Sequence, residues 1–289
     1  MLTAAQLDKI TDSSAVLKSL QAVELDILED MARRIVKMDF ATDTAKWQMQ
    51  KLKEVGAQKS YIYKALSEVT GKSQADLYRM FNEAATSTLA IDDAIYKEQG
   101  LQPVPLIDSP QLQQILQAGM QQTADSFINL TAQTSINGAA QFGNVLDRAY
   151  MQVTSGAFTY DTAIKNAIKT LARNGVTSVV YPSGRKDNID VASRRALLTG
   201  VNQSALKVSM ARADQMGVTL VETSAHSGAR KDHADWQGRL FLLRGSSPKY
   251  PNFYTATGYG TVTGLGGANC RHSFYPYFEG SKSSYTKKE

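Results

Sequence analysis

Cysteine is almost absent. Cys270 is the single one in 289 residues, so no disulfide can close within the chain, and such sparing use fits a reducing compartment. Long apolar runs are missing too: no stretch approaches the roughly eighteen uninterrupted apolar residues that a membrane span requires. The opening residues, MLTAAQLDKITDSS, carry acids and hydroxyls where a signal peptide would carry a basic patch and an apolar run. Together these absences predict a soluble protein made in a cytoplasm, with no membrane partner. The compositional signature of disorder is also lacking, because 43% of residues are hydrophobic and only 20% are charged, which is enough to build a real core. No internal repeat is visible. The glycine-rich stretch GTVTGLGGAN has neither the lysine and hydroxyl of a phosphate-binding loop nor its place between a strand and a helix, so it reads as a flexible crossing.

The net charge of +5 hides an asymmetry. Residues 1–160 hold 14 Lys/Arg and 18 Asp/Glu, a net of −4, whereas residues 161–289 hold 18 and 9, a net of +9. A basic half of this kind suits nucleic acid or an acidic partner. Between Pro110 and Phe158 charge is nearly lacking altogether, with only Asp125, Asp147 and Arg148. The segment is rich in Gln, Ala, Thr and Asn, and Leu112, Ile115, Leu116, Met120, Phe127, Ile128 and Leu130 recur near helical spacing. Solvated helices usually carry charge on the outer face, so this one is expected either to contact other protein, a second copy included, or to lie inside a bundle.

What is present is mostly helix at first. Leu17, Leu20, Val23, Ile27, Met31 and Ile35 step by threes and fours through residues 13–38, with Ser13 or Ser14 as the cap. Shorter helical patterns follow at 43–54, 58–69, 74–84 and 87–98, with Gly56, Gly71 and Gly100 placed as C-terminal caps. QPVPLIDSP cannot continue a helix and marks a boundary. Beyond residue 158 the pattern mixes. Tyr160–Asn174 and 189–216 read as helices stopped by Gly175 and Gly217, and VTSVVY, VTLVET, RLFLL and SFYPYF read as short strands, with PSGRKDN a turn. The expected fold class is α+β: a helical N-terminal half followed by a smaller α+β C-terminal domain. The expected parts are a helical region 1–106, an uncharged helical connecting segment 107–158 and an α+β domain 159–289.

All three histidines, His226, His233 and His272, fall in the last 64 residues together with Cys270. Imidazole and thiol are the ligand types of zinc, so these four are the candidate metal ligands and zinc the candidate ion, set against a hydrogen-bonded polar cluster. Cys270 could alternatively act as a nucleophile with His233 or His226 as base and Asp232 or Asp235 behind it; a nuclease would use His233, Asp232 and Asn269. Arg195, Thr199 and Asn202 share one helix face near Ser183–Lys186, either to cradle an anion or to tie helix to sheet. Arg185, Lys186, Arg230, Lys231 and Arg271 sit in predicted loops and are the candidate phosphate contacts for DNA.

Three stretches carry a resemblance: YPSGRK through VASRRALLTGVNQ (181–203), SAHSGARKDHADWQGR (224–239) and GANCRHSFYPYFEG (267–280). In order and spacing they resemble the phage minor capsid protein 2 family, related in pattern to the phage Mu-type head-morphogenesis domain with its Asn-Cys-Arg followed by Cys or His. The resemblance implies a low-copy structural protein of a tailed-phage head, at the portal vertex or capsid interior, acting in head assembly or in DNA packaging and delivery. Its implied partners are portal protein, major capsid protein and phage DNA, and its implied place is the virion after synthesis in the host bacterial cytoplasm. His226, Arg230, His233, Trp236, Gly238, Cys270, Arg271 and His272 transfer as structural or ligand positions, with no enzymatic role. The toxin domain of some relatives is not expected after Gly280. The competing readings are a metal-dependent or cysteine-based enzyme acting on nucleic acid or protein during assembly or DNA entry, and a DNA-binding packaging accessory.

Overall fold

The computed structural model describes residues 2–12 and 14–285. Helices come first: α1 (Ala4–Asp12), α2 (Ala15–Val36), α3 (Thr44–Gly71), α4 (Gln74–Glu98), α5 (Pro110–Thr154) and α6 (Tyr160–Asn174). A hairpin of β1 (Thr177–Val180) and β2 (Lys186–Asn188) leads into α7 (Ile189–Gln215). Then follow β3 (Leu220–Thr223), β4 (Leu240–Leu242), the short helix α8 (Phe253–Thr257) and β5 (Phe274–Pro276). The fold is α+β, as the sequence pattern implies, and no helix among the described residues is long and apolar enough to cross a membrane.

Several boundaries follow from local chemistry. Asp43 caps α3 through Lys46 N (3.0 Å) and Thr159 caps α6 through Thr162 N. Pro110 opens α5, where a missing N–H costs nothing. Gly100 and Gly217 close α4 and α7 with positive φ, and the paired bonds Leu101 N→Tyr96 O (3.0 Å) and Gly100 N→Lys97 O (2.9 Å) make the first a Schellman motif. Gly56, by contrast, caps nothing. It lies inside α3, which runs unbroken where two helices were expected, and α4 likewise merges two expected helices. Lys186–Asn188 forms a strand where a turn was expected. Of the two cap candidates for α2, Ser13 lies outside the described residues, and Ser14 Oγ donates to Asp76 (2.9 Å).

By contact the chain forms two units, each built from separate stretches: residues 1–14, 75–123 and 195–289 in one, and 15–74 and 124–194 in the other. In the second unit Ile27, Met31, Ile35, Ile62, Leu66, Phe142, Leu146 and Leu171 are buried, and Trp47 stacks on Tyr150 with ring centroids 4.5 Å apart. The uncharged polar residues of α5 work inside this unit. Thr134 Oγ1 bonds Ser178 Oγ (2.7 Å), Asn137 donates to Ser178 O (2.7 Å), and Gln141 bonds both Gly175 O (2.8 Å) and Thr177 N (2.9 Å). They bind Gly175 before β1 and Thr177 and Ser178 at its start, where the register against β2 shifts. Apolar side chains on other faces of α5 remain in solvent, with Ile128 57%, Ile136 50% and Met151 66% exposed.

The first unit carries the candidate site. Its sheet is antiparallel in the order β4-β3-β5, with Val221 opposite both Phe241 and Pro276. Leu206, Ala213, Val221, Trp236, Phe241, Leu243, Phe253, Leu265 and Phe274 form one hydrophobic cluster. On α7 the fully buried Arg212 pairs with Asp93 of α4 (3.0 Å) and donates to Val104 O, which keeps its charge compensated. Helices α5 and α7 touch at glycines: a Cβ on Gly119 would collide with Ser204, and one on Gly200 with Thr123. The glycine-rich stretch after α8 is packed, not a flexible crossing. Gly264, Leu265, Gly266 and Gly267 are buried, and Leu265 N→Thr257 O and Ala268 N→Val262 O, both 2.9 Å, fold it onto itself.

Candidate functional site

Two segments converge at one end of the β4-β3-β5 sheet. After β3 the chain loops through residues 224–239 and returns to it: Thr223 Oγ1 donates to Trp236 O (2.6 Å) and Gly238 N to Thr223 O (3.1 Å). Gly238 has φ +64°, and a Cβ there would sit 3.1 Å from that of Tyr285, so both backbone and space ask for glycine. Within the loop a 3-10 turn, Lys231–His233, aims His233 inward. The other segment is Gly266–Ser273, held from α7: Asn202 Nδ2 donates to Cys270 O (2.9 Å) and His272 O (3.4 Å), Gln203 to Gly266 O (2.9 Å), and Asn269 N to Thr199 Oγ1 (3.3 Å). Thr199 and Asn202 therefore tie the helix to the loop before β5 and not to a strand of the sheet.

His233, Cys270 and His272 are 2%, 3% and 1% exposed. Their ligand atoms all lie within 4.8 Å of one another. His233 Nδ1 is 3.3 Å from His272 Nδ1, and Cys270 Sγ is 3.6 Å from the same His272 atom. The outer ring nitrogens meet carbonyl oxygens, His233 Nε2 with Thr263 O (2.8 Å) and His272 Nε2 with Gln237 Oε1 (3.2 Å). Trp236 packs at 4.6 Å from both rings. His226 lies against the His272 ring with centroids 4.1 Å apart; its Nδ1 meets Ser227 O (2.9 Å), while its buried Nε2 has no hydrogen-bond partner. His226 also faces an open groove of ≈ 460 Å³ that includes Thr3, Asp8 and Arg271. Of the four candidate ligands, three thus form one buried group and the fourth stacks on it.

Burial, and after it the neighbouring His226 and His233, hold the His272 imidazole down at about 3, so it is neutral near pH 7. Burial raises the Cys270 thiol above its ordinary value, against the pull of backbone donors. A buried thiol pushed that way is a poor nucleophile. Nor is a triad assembled: the nitrogens of His233 meet His272, Thr263 and Arg230, while Asp232 faces Arg230 at 3.5 Å.

The five basic candidates divide between the two units, Arg185 and Lys186 in one and Arg230, Lys231 and Arg271 in the other. Arg185 pairs with Asp187 (3.0 Å) and lies over the Tyr181 ring, and Lys186 beside it is exposed. Arg230 leans on Asp232 and donates to Thr263 O, Lys231 is exposed, and Arg271 pairs with Asp8 (2.8 Å). Nothing in the sequence pattern marks Thr263 or Gln237 as supports of the cluster, since a carbonyl oxygen is common to every residue and Gln237 belongs to no periodic pattern.

A family model described as Phage minor capsid protein 2 matches residues 2–289. The chain belongs to the phage minor capsid protein 2 family. A structural protein of Lactococcus phage LL-H is 25% identical over 280 residues, covering 89% of this chain and 72% of its own length. No solved structure matches. As a member of the minor capsid protein 2 family the chain is a bacteriophage structural protein, which places it among virion components.

Proposed function

We propose that this chain is a low-copy structural component of the phage head, bound to portal protein or major capsid protein at the portal vertex or capsid interior, and that it serves head assembly or DNA packaging and delivery. The observation that carries the reading is the family match over residues 2–289. Two features of the molecule agree with it. The His233, Cys270 and His272 group is buried where two loops meet, which suits a scaffold. Helix α5 exposes Ile128, Ile136 and Met151 and itself carries few charges, and exposed apolar side chains on such a helix favour protein contact.

Hydrogen exchange on the isolated protein and on assembled heads tests this. Amides of residues 124–154 are expected to exchange more slowly in heads, and cross-linking in heads is expected to join this helix to portal or major capsid protein. Equal exchange in both states, with no cross-link to either, overturns the reading.

A further inference from the structure

We infer that His233, Cys270 and His272 form a binding site for a thiophilic divalent cation, zinc by its chemistry, with His226 as the fourth ligand. Distances carry the inference first. Zinc binds imidazole nitrogen at about 2.0–2.1 Å and thiolate sulfur at about 2.3 Å in tetrahedral sites. Those lengths require two nitrogen ligands to stand about 3.3–3.4 Å apart, and nitrogen and sulfur about 3.5–3.6 Å apart. The chain places His233 Nδ1 and His272 Nδ1 at 3.3 Å, and Cys270 Sγ and His272 Nδ1 at 3.6 Å. Two edges of a tetrahedron are therefore in place before any ligand moves.

Tautomers carry it next. Gln237 Oε1 accepts from His226 N (3.2 Å), a group that can only donate, so the atom facing His272 Nε2 is an acceptor and His272 Nε2 carries the hydrogen. His233 Nε2 likewise faces the acceptor Thr263 O. Both Nδ1 lone pairs then point at one spot beside the thiol. Zinc-bound histidines show this arrangement, the outer N–H fixed on an oxygen and the inner nitrogen on the metal. His226 follows the same logic with its nitrogens exchanged: Nδ1 is spent on Ser227 O and the buried Nε2 has no partner. His226 also lines a groove open to solvent.

The rival arrangement is also defined by the geometry. Arg230 Nη2 lies 2.6 Å from His233 Nε2. If that nitrogen accepts from Arg230, a proton sits on His233 Nδ1 and bridges to His272, and the cluster is satisfied without a metal. A cation thus selects one tautomer, and Arg230 turns wholly to Thr263 O.

The full-length chain, purified without chelator, is expected to contain about one zinc per chain by elemental analysis. Replacing zinc with cobalt is expected to give tetrahedral visible bands and a thiolate-to-cobalt charge-transfer band at one equivalent. Cys270→Ser should lose the charge-transfer band while keeping its helical circular dichroism. Gln237→Ala, which touches no metal, should weaken zinc binding about 10–100-fold, the usual loss when an outer support is removed. His226→Ala should weaken binding while leaving the charge-transfer band. Metal-free wild-type protein that shows no cobalt bands and no change of melting temperature on adding zinc overturns the inference and leaves the proton-bridged pair. This readout is on wild-type protein alone, so a variant that fails to fold does not obscure it.

Discussion

Gly119 offers a sharp test of how α5 and α7 pack. An alanine Cβ at this position collides with Ser204 Oγ and would also lie 3.0 Å from Ser204 Cβ and 3.1 Å from Phe81 Cε1. Turning the serine removes only the first conflict, and the carbon contacts stay roughly half an ångström short of the 3.5–4.0 Å optimum. Forcing such a methyl into a packed site costs about 1–3 kcal/mol. Set against this, alanine is favoured over glycine within a helix by about 1 kcal/mol. Gly56 of α3 isolates that second effect, because nothing lies within 4 Å of its would-be Cβ. Gly56→Ala should therefore stabilise the protein by close to 1 kcal/mol, and Gly119→Ala should fall about 1–3 kcal/mol below it. In thermal melts the gap is about 2–12 °C. Ser204→Ala added to Gly119→Ala should recover part of the loss, since it deletes the colliding hydroxyl. If Gly119→Ala is as stabilising as Gly56→Ala, the close approach of the two helices is wrong.

Two further outcomes follow from charges. Burial pushes the Asp92 carboxyl up from 3.8 to about 6. A raised value means that its contribution to stability is full below about pH 4 and is lost as pH rises through about 6, by roughly 3 kcal/mol. Asp92→Asn keeps an oxygen for Ser209 Oγ, which donates to Asp92 Oδ2 (2.6 Å), and should flatten this profile in urea unfolding; a variant that tracks wild type at every pH refutes it. For DNA, three of the five candidate cations already face carboxylates. Binding measured across salt concentrations should then show a log–log slope of about −2, from Lys186 and Lys231, and a slope near about −4.5 would mean that all five reach phosphates.

The sequence made some elements legible and hid others for physical reasons. Helix α6 matches its expected bounds, and Gly100 and Gly217 end their helices, because caps and periodicity are local chemistry. Gly56 misled because a glycine inside a helix costs only about 1 kcal/mol, too little to break a helix of 28 residues. Gly119 and Gly200 mark close helix contact, which has no pattern in one strand of sequence. The candidate ligands were legible by residue type, yet their supports were not. Arg271 illustrates the limit: its partner, Asp8, is 263 positions away, and no reading along the chain couples such positions. The lack of charge on α5 suits either contact with other protein or a bundle interior, and Thr134, Asn137 and Gln141 show the interior use.

The interleaving of the two units sets an order of events during synthesis. Every stretch of the unit formed by residues 15–74 and 124–194 has left the ribosome while the other unit still lacks 195–289. That other unit joins its first and last stretches, since Asp8 binds Arg271 and Leu2 O accepts from Ser273 Oγ (3.0 Å). Asp8 of α1 and Asp93 and Tyr96 of α4 thus meet Arg271, Arg212 and Phe278 only once those residues have emerged. Products cut short before residue 270 would lack these contacts and leave the unit open to proteases and chaperones.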